Sequence, residues 1–253
     1  MSRFSTRDYL LMGLMVIVAG VCVRLGIWQL DRLGQRMDRN AEIRARLDEP
    51  VLEFPPPIPL EEQAYRRISV RGTFQPEQAV LLENQSYNEQ PGFHLLVPLI
   101  LENLDTALVI DQGWLPFEQV LGKDPRVLVE ETAGEQTIEG VLLPSQDEPA
   151  LAFLADKIPA PGEPPLRAWR VVNIDGLQKQ TPFALYPLYL ARTAPPSSTE
   201  GGPLPVFEPD LSNGPHLSYA IQWFAFASIA LFGGAAWLRY RHRAGPRVRR
   251  EQP

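Results

Sequence analysis

The chain of 253 residues is poor in the residues that make catalytic and metal chemistry, with one cysteine, Cys22, and three histidines, His94, His216 and His242. One cysteine excludes an internal disulfide framework, a C-x-x-C zinc site and covalent haem attachment. There is no H-E-x-x-H pair, no G-x-S-x-G elbow and no phosphate-cradling glycine loop. No serine stands in the surroundings of a nucleophile. The acidic pairs Glu61–Glu62 and Glu130–Glu131 flank proline-rich or loop-like stretches, where carboxylates are ordinarily solvated. An enzyme is therefore not expected. Recurrent helical stretches between apolar segments are also missing, which argues against a parallel β-α-β sheet.

Long apolar runs are few, and the two that exist set the topology. The first is YLLMGLMVIVAGVCVRLGIWQL, Tyr9 to Leu30, uncharged through Val23 and then interrupted by Arg24. Roughly 20 residues cross a bilayer, so 9–28 reads as a transmembrane helix with Arg24 snorkelling to the interface. The run is long and no A-x-A site follows, which argues against a cleavable signal peptide. Leu30, Leu33, Met37, Ile43 and Leu47 continue at helical spacing, so the helix is expected to extend over 29–48. The prolines of EPVLEFPPPIP then stop it. The second run, Leu217 to Leu238, has 22 residues without a formal charge and reads as a second transmembrane helix over 217–238.

Arginines orient the pair. Arg3 and Arg7 precede the first span, while Arg239, Arg241, Arg243, Arg247, Arg249 and Arg250 follow the second. Residues 25–238 carry 15 Lys and Arg against 28 Asp and Glu. Positive charge marks the cytoplasmic side, so 1–8 and the tail 239–253, with His242, are expected inside. The tail suits anionic membrane lipids, and nucleic acid is not expected as a partner. With eight residues before the first span, a mitochondrial transit peptide is not expected. The expected home is a bacterial plasma (inner) membrane, with the middle of the chain periplasmic.

That middle, 49–210, is β-rich. RISVRGTF, AVLLENQ, FHLLVPLIL, ALVIDQGWL, TIEGVLL, RAWRVV and YPLYLAR are short strand-like segments separated by Gly, Pro, Asn and Asp. VNIDGLQKQT is expected to hold one short helix. The fold class is thus an α+β membrane protein, with two transmembrane helices flanking an extracytoplasmic antiparallel sheet or open barrel. PAPGEPP and TAPPSSTEGGPLPVFEP read as surface loops or tethers. His94, at the start of a predicted strand, reads as a hairpin-edge residue.

With both termini inside, the end of the first span and the start of the second meet at the outer interface. Arg24, Trp28 and Arg32 recur there at i, i+4 and i+8. His216, Tyr219, Ala220 and Trp223 share a face of the second helix. Ser212 or Asn213 is expected to cap that helix, with Pro215 in its first turn. An imidazole at this depth offers a lone pair to haem iron, aromatics offer walls to a porphyrin, and Arg24 or Arg32 could meet its propionates. Interfacial belts of Trp and Tyr with snorkelling arginines have the same composition without any ligand, so both readings stand at this point.

Five motifs in order favour the first. LGIWQLDRLGQR, YRRISVRGTF, PGFHLLVPL, VIDQGWLP and HLSYAIQWFAFA resemble those of the surfeit locus 1 proteins, assembly factors of haem-copper cytochrome c oxidase. The resemblance runs through Gly26, Trp28, Gln29 and Arg32, then Arg66, Arg67, Gly72 and Phe74, and covers nearly the whole chain. It implies a carrier that binds haem a transiently and helps deliver it to subunit I, with haem a synthase as a further partner and His216 as the haem ligand. Tyr219, Trp223, Arg24, Trp28 and Arg32 would complete the site. A departure falls at Asp111–Gln112, where the family commonly has Arg before Gly-Trp. A membrane scaffold for an oxidase subunit that binds no haem is the alternative.

Overall fold

The computed structural model describes residues 5–102, 104–129, 134–146, 155–160, 163–194 and 202–243. Glu130–Glu131, parts of both proline-rich inserts and the tail from 244 onward lie outside the described residues, as does the side chain of His242. The chain divides into two units, Met1–Glu42 with Asp210–Pro253, and Ile43–Pro209.

The first unit is a pair of helices. Helix α1 (Thr6–Asp48) is continuous over 43 residues, about 65 Å at 1.5 Å per residue. That is roughly twice the hydrocarbon thickness of a bilayer, so its polar half, from Asp31 on, outruns any apolar layer. Ser5 and Asp8 start it with a reciprocal capping box: the Asp8 amide donates to Ser5 Oγ at 3.3 Å, and the Ser5 amide to Asp8 Oδ2 at 2.8 Å. Ala19, Cys22, Gly26, Gln29, Leu33, Arg36 and Asn40, buried or half-buried, recur at alternating steps of three and four. Such a stripe is the seam of two packed helices.

The partner helix supplies the matching stripe. Helix α2 (His216–Ser228) runs through a π-helical turn, Ile229–Gly233, into α3 (Gly234–Arg243). His216, Ala220, Trp223, Ala227, Ala230 and Gly234 form its seam. The wide turn inserts one residue, so Leu238 is buried where the three-four alternation would have put Trp237. Small residues let the backbones approach: a Cβ on Gly26 would stand 2.8 Å from the Phe224 ring, and one on Gly234 would collide with the Met15 sulfur. The two helices run antiparallel, as the Asp8–Arg241 contact at one end and the Gln29–His216 contact at the other require.

The second unit is a closed five-stranded barrel. Its strands are β1 (Leu52–Glu53), β2 (Arg67–Phe74), β3 (Val80–Tyr87), β4 (Gln90–Leu101), β5 (Thr106–Pro116), β6 (Gln136–Pro144), β7 (Ala168–Trp169) and β8 (Ala184–Arg192). The order β2-β6-β8-β5-β4 closes because β2 pairs with β4 as well as with β6. Most neighbours are antiparallel, but β5 and β8 run parallel, and β1 and β7 add short parallel edges to β2 and β3. The sheet is therefore mixed, and closure removes the barrel's own free edges. Asn88 and Glu89, at φ 49° and 64°, make the tight turn between β3 and β4.

Alternation along each strand sorts the side chains. Ile68, Val70, Val97, Leu99, Leu108, Ile110, Leu142 and Leu190 fill the barrel. Val80, Leu82, Leu96, Val109 and Tyr189 face outward into a second core, closed by Trp169, Val172, Ile174 and Leu177. The expected strand RAWRVV shortens to two residues because Trp169 turns into this second core, lying over Gly176 of the short helix α4 (Ile174–Gln178). Strands buried on both faces explain why ALVIDQGWL and LYLA are apolar almost without interruption.

Candidate functional site

The His216 end of the helix pair gathers the first unit's polar side chains. The extension of α1 reaches the segment that precedes α2: Arg36 donates from Nε to the Ser212 carbonyl at 2.8 Å and from Nη2 to Asp210 at 2.6 Å. Asn40 Nδ2 donates to the carbonyls of Leu211 at 2.9 Å and Ser212 at 3.1 Å. Gly214 turns the chain at φ 65°, and Pro215 occupies the N-cap, with no side chain capping the helix. The expected cap from Ser212 or Asn213 does not form, because Pro215 and Gly214 separate both from the first turn. The α1 extension fixes the entry instead.

His216 opens α2 on the seam, half-buried, with Nδ1 2.9 Å from Gln29 Oε1. A Cβ on Gly214 would stand 3.6 Å from Cδ2 and 3.7 Å from Nε2 of His216. These are ordinary van der Waals distances, so it is the positive φ that favours glycine beside the ring edge carrying Nε2. Two turns on, Trp223 packs against Ala19, Cys22 and Ala227 and meets Phe226 edge to face at 5.9 Å. Tyr219 lies beside the seam and is half exposed. Arg24 and Trp28 sit two residues off the seam positions Cys22 and Gly26, a rotation of about 200°, and are exposed on the outer side of α1. Arg32 lies 5.9 Å from the Trp28 ring and donates to Gln35 at 2.9 Å. The structure brings His216 and Trp223 onto one seam and Trp28 and Arg32 onto another face. Gln29, Arg36, Asn40 and Asp210 complete the His216 surroundings; the first three share the heptad spacing of the α1 seam, but nothing in the sequence pairs that seam with 210–213.

This donor set fits a porphyrin in kind: one imidazole at the head of a helix seam, with the aromatic side chains Tyr219 and Trp223 on the same helix. Among the described residues no cluster of three His, Cys, Asp or Glu could hold a bare metal ion.

The SURF1 family profile matches residues 16–228, from within α1 to the last residue of α2. The chain belongs to the SURF1 family. Similar proteins include a SURF1-like protein of Monosiga brevicollis, 23% identical over 234 residues, covering 88% of this chain and 84% of that one. A SURF1-like protein of Rickettsia conorii is 24% identical over 238 residues, covering 91% and 90%. Surfeit locus protein 1 of Rattus norvegicus is 20% identical over 257 residues, covering 95% and 79%. SURF1 proteins are known in general as oxidase assembly factors. With two helices long and apolar enough to cross a bilayer, this SURF1-family chain is a membrane protein.

Two motif residues of the barrel find their roles in packing. Gln112, at the position where the SURF1 family commonly has Arg, is buried and accepts from Arg192 Nη1 at 2.6 Å. The guanidinium comes from β8 instead, inside the barrel unit. His94 is no bare hairpin edge: both Asp111 oxygens lie within 3.0 Å of its Nδ1, and Asp111 Oδ1 also accepts from the Gly113 amide at 3.0 Å. Burial first, then the Asp111 carboxylate, pushes the neighbouring Tyr189 phenol well above its ordinary range. The bond network ties β4 to β5 at its bulge.

Proposed function

We propose that this SURF1-family protein is an assembly factor of haem-copper cytochrome c oxidase that holds haem a transiently and assists its insertion into subunit I. The observation that carries this reading is His216, held at the head of the helix seam by the contact of its Nδ1 with Gln29, with its Nε2 edge beside Gly214. His216 would hold the iron, with Tyr219 and Trp223 beside the ring; Arg24, Trp28 and Arg32, exposed on the outer face of α1, would lie at the lipid interface instead of at the propionates. When bound, the haem would supply an iron able to take a ligand and a large apolar face.

The protein's own residues bind and orient, and turnover chemistry is not part of the reading. One neutral axial ligand suits a carrier, because the cofactor must leave. The charge bias of the termini supports an orientation with both ends in the cytoplasm and the barrel on the outer side of a bacterial inner membrane. Haem a synthase would be the donor and subunit I the acceptor.

The test is the visible spectrum of the protein purified from cells able to make haem a. A Soret band that His216→Ala abolishes is expected. Oxidase assembly that proceeds fully with His216→Ala, by a colourless protein bound to subunit I, would establish the scaffold instead.

A further inference from the structure

Neutral imidazole exists as two tautomers, and free histidine prefers the one with hydrogen on Nε2. That form offers its lone pair at Nδ1, close to the backbone and poorly placed for a large ligand. A protein selects the other form by giving Nδ1 an acceptor, which holds the hydrogen there and leaves Nε2 bare.

Gln29 supplies such an acceptor. Its Oε1, an atom that can only accept, stands 2.9 Å from His216 Nδ1. With hydrogen on Nδ1 this is a hydrogen bond; with a lone pair there, two acceptors would face one another. Both partners are fixed from several directions. Gln29 is the next seam position after Gly26, whose close approach to Phe224 sets the distance between the helices. The segment before His216 is anchored by Arg36 and Asn40. The opposite edge of the ring, with Nε2, lies beside Gly214.

We infer that Gln29 is the positioning residue of the site: it selects the Nδ1–H tautomer of His216 and turns a bare Nε2 toward the iron. The inference rests on the reading that His216 takes a haem iron, but its central statement concerns the protein alone. An amide is also a graded choice of partner. A carboxylate in its place would draw the Nδ1 hydrogen more strongly and raise the basicity of Nε2, whereas the neutral amide leaves the iron bond exchangeable.

The experiment uses the full chain in detergent micelles, labelled with ring ¹⁵N histidine and free of haem, at about pH 8.5, above the ordinary imidazole range. The His216 signals are identified by their loss in His216→Ala. Wild type is expected to show hydrogen on Nδ1 and a bare Nε2. Gln29→Leu is expected to move His216 toward the Nε2–H form, while Gln29→Glu keeps the wild-type tautomer and shows that the position tolerates change. An Nε2–H tautomer in wild type, or an unchanged tautomer in Gln29→Leu, overturns the inference.

Titration with haemin, followed by its Soret band, gives the second readout. Gln29→Leu should weaken binding by roughly 10-fold or more, as loss of such partners does elsewhere, and Gln29→Glu should bind at least as tightly as wild type. Equal haemin affinity in all three overturns the positioning role. If the tautomer shifts as expected but His216→Ala binds haemin as wild type does, the tautomer assignment stands and the haem reading of the site falls.

Discussion

The ring of Phe224 occupies the space that a side chain on Gly26 would enter, with Cε1 and Cζ both 2.8 Å from an ideal Cβ. The interhelix distance at the candidate site is therefore set by a missing side chain. Gly26→Leu should force the helices apart and lower the free energy of unfolding, measured by SDS titration, by about 1–3 kcal/mol, the usual cost of overpacking. Gly20→Leu is the control, because a Cβ at Gly20 meets nothing within 4 Å. Equal losses at the two positions would contradict the packing described.

At the other end of the pair, Asp8 combines two tasks. Its side chain is 3% exposed, closes the capping box with Ser5, and lies 3.3 Å from Arg241 Nη1. Arg241 is itself 42% exposed and stands 5.5 Å from the Trp237 ring. A half-exposed partner limits the ion pair to about 1 kcal/mol, similar to a lost cap. Asp8→Asn, which keeps an acceptor for the cap, should cost about half as much as Asp8→Ala. Hydrogen exchange in the first turn of α1 should rise in the same order.

Much of this fold could be read from the residues, for identifiable reasons. Uncharged runs and proline stops marked both apolar helices and the end of α1 near Leu47, because the bilayer and the proline ring act locally. Barrel closure was not legible. It depends on β2 meeting β4 at Gly72↔Leu101 and on β8 running parallel to β5, long-range pairings that leave no local pattern. RAWRVV has strand composition, yet Trp169 had more area to bury in the second core than a longer ladder could offer. At the site, His216 drew attention by its chemistry. Gln29 stood in the LGIWQLDRLGQR motif, but its place beside His216 follows from the heptad stripe it shares with Cys22 and Gly26. The α1 clamp on 210–213 joins residues more than 170 positions apart and has no signature in either segment.

Asp210 gives that clamp a pH dependence. Hydrogen bonds from the Ser212 hydroxyl and amide, with Arg36 nearby, hold its carboxyl below the ordinary value of 3.8. A lowered folded value means that the clamp's contribution is fully present above 3.8 and is lost as pH falls through the lower, folded value. Protection of the Ser212 amide from hydrogen exchange, corrected for its intrinsic rate, should hold from about pH 6 to about pH 4 and decline below. Asp210→Asn should show reduced protection across the whole range. Protection that is flat to about pH 2 and unaffected by the substitution would remove Asp210 from the clamp.

In the barrel, Gly113 carries the tightest backbone constraint. It sits at φ 119°, a region that side chains rarely enter, and a Cβ there would collide with the Leu204 carbonyl. The next residue explains the crowding: the Trp114 amide donates to the Leu204 carbonyl at 2.7 Å, and the Leu204 amide to the Trp114 carbonyl at 2.8 Å. This two-bond bridge fastens the strap that leaves the barrel to the bulge in β5, and Asp111 holds the bulge by taking the Gly113 amide and His94 Nδ1 together. Gly113→Ala should cost about 2–4 kcal/mol, combining backbone strain with the clash, and should speed proteolysis of the strap around Leu204. Asp111→Leu strands two buried donors, at about 1–3 kcal/mol each, and should release the strap as well. Asp111→Asn keeps an oxygen for the Gly113 amide and should retain most of the bridge. A Gly113→Ala protein with unchanged melting and an uncut strap would show that the bridge does not hold it.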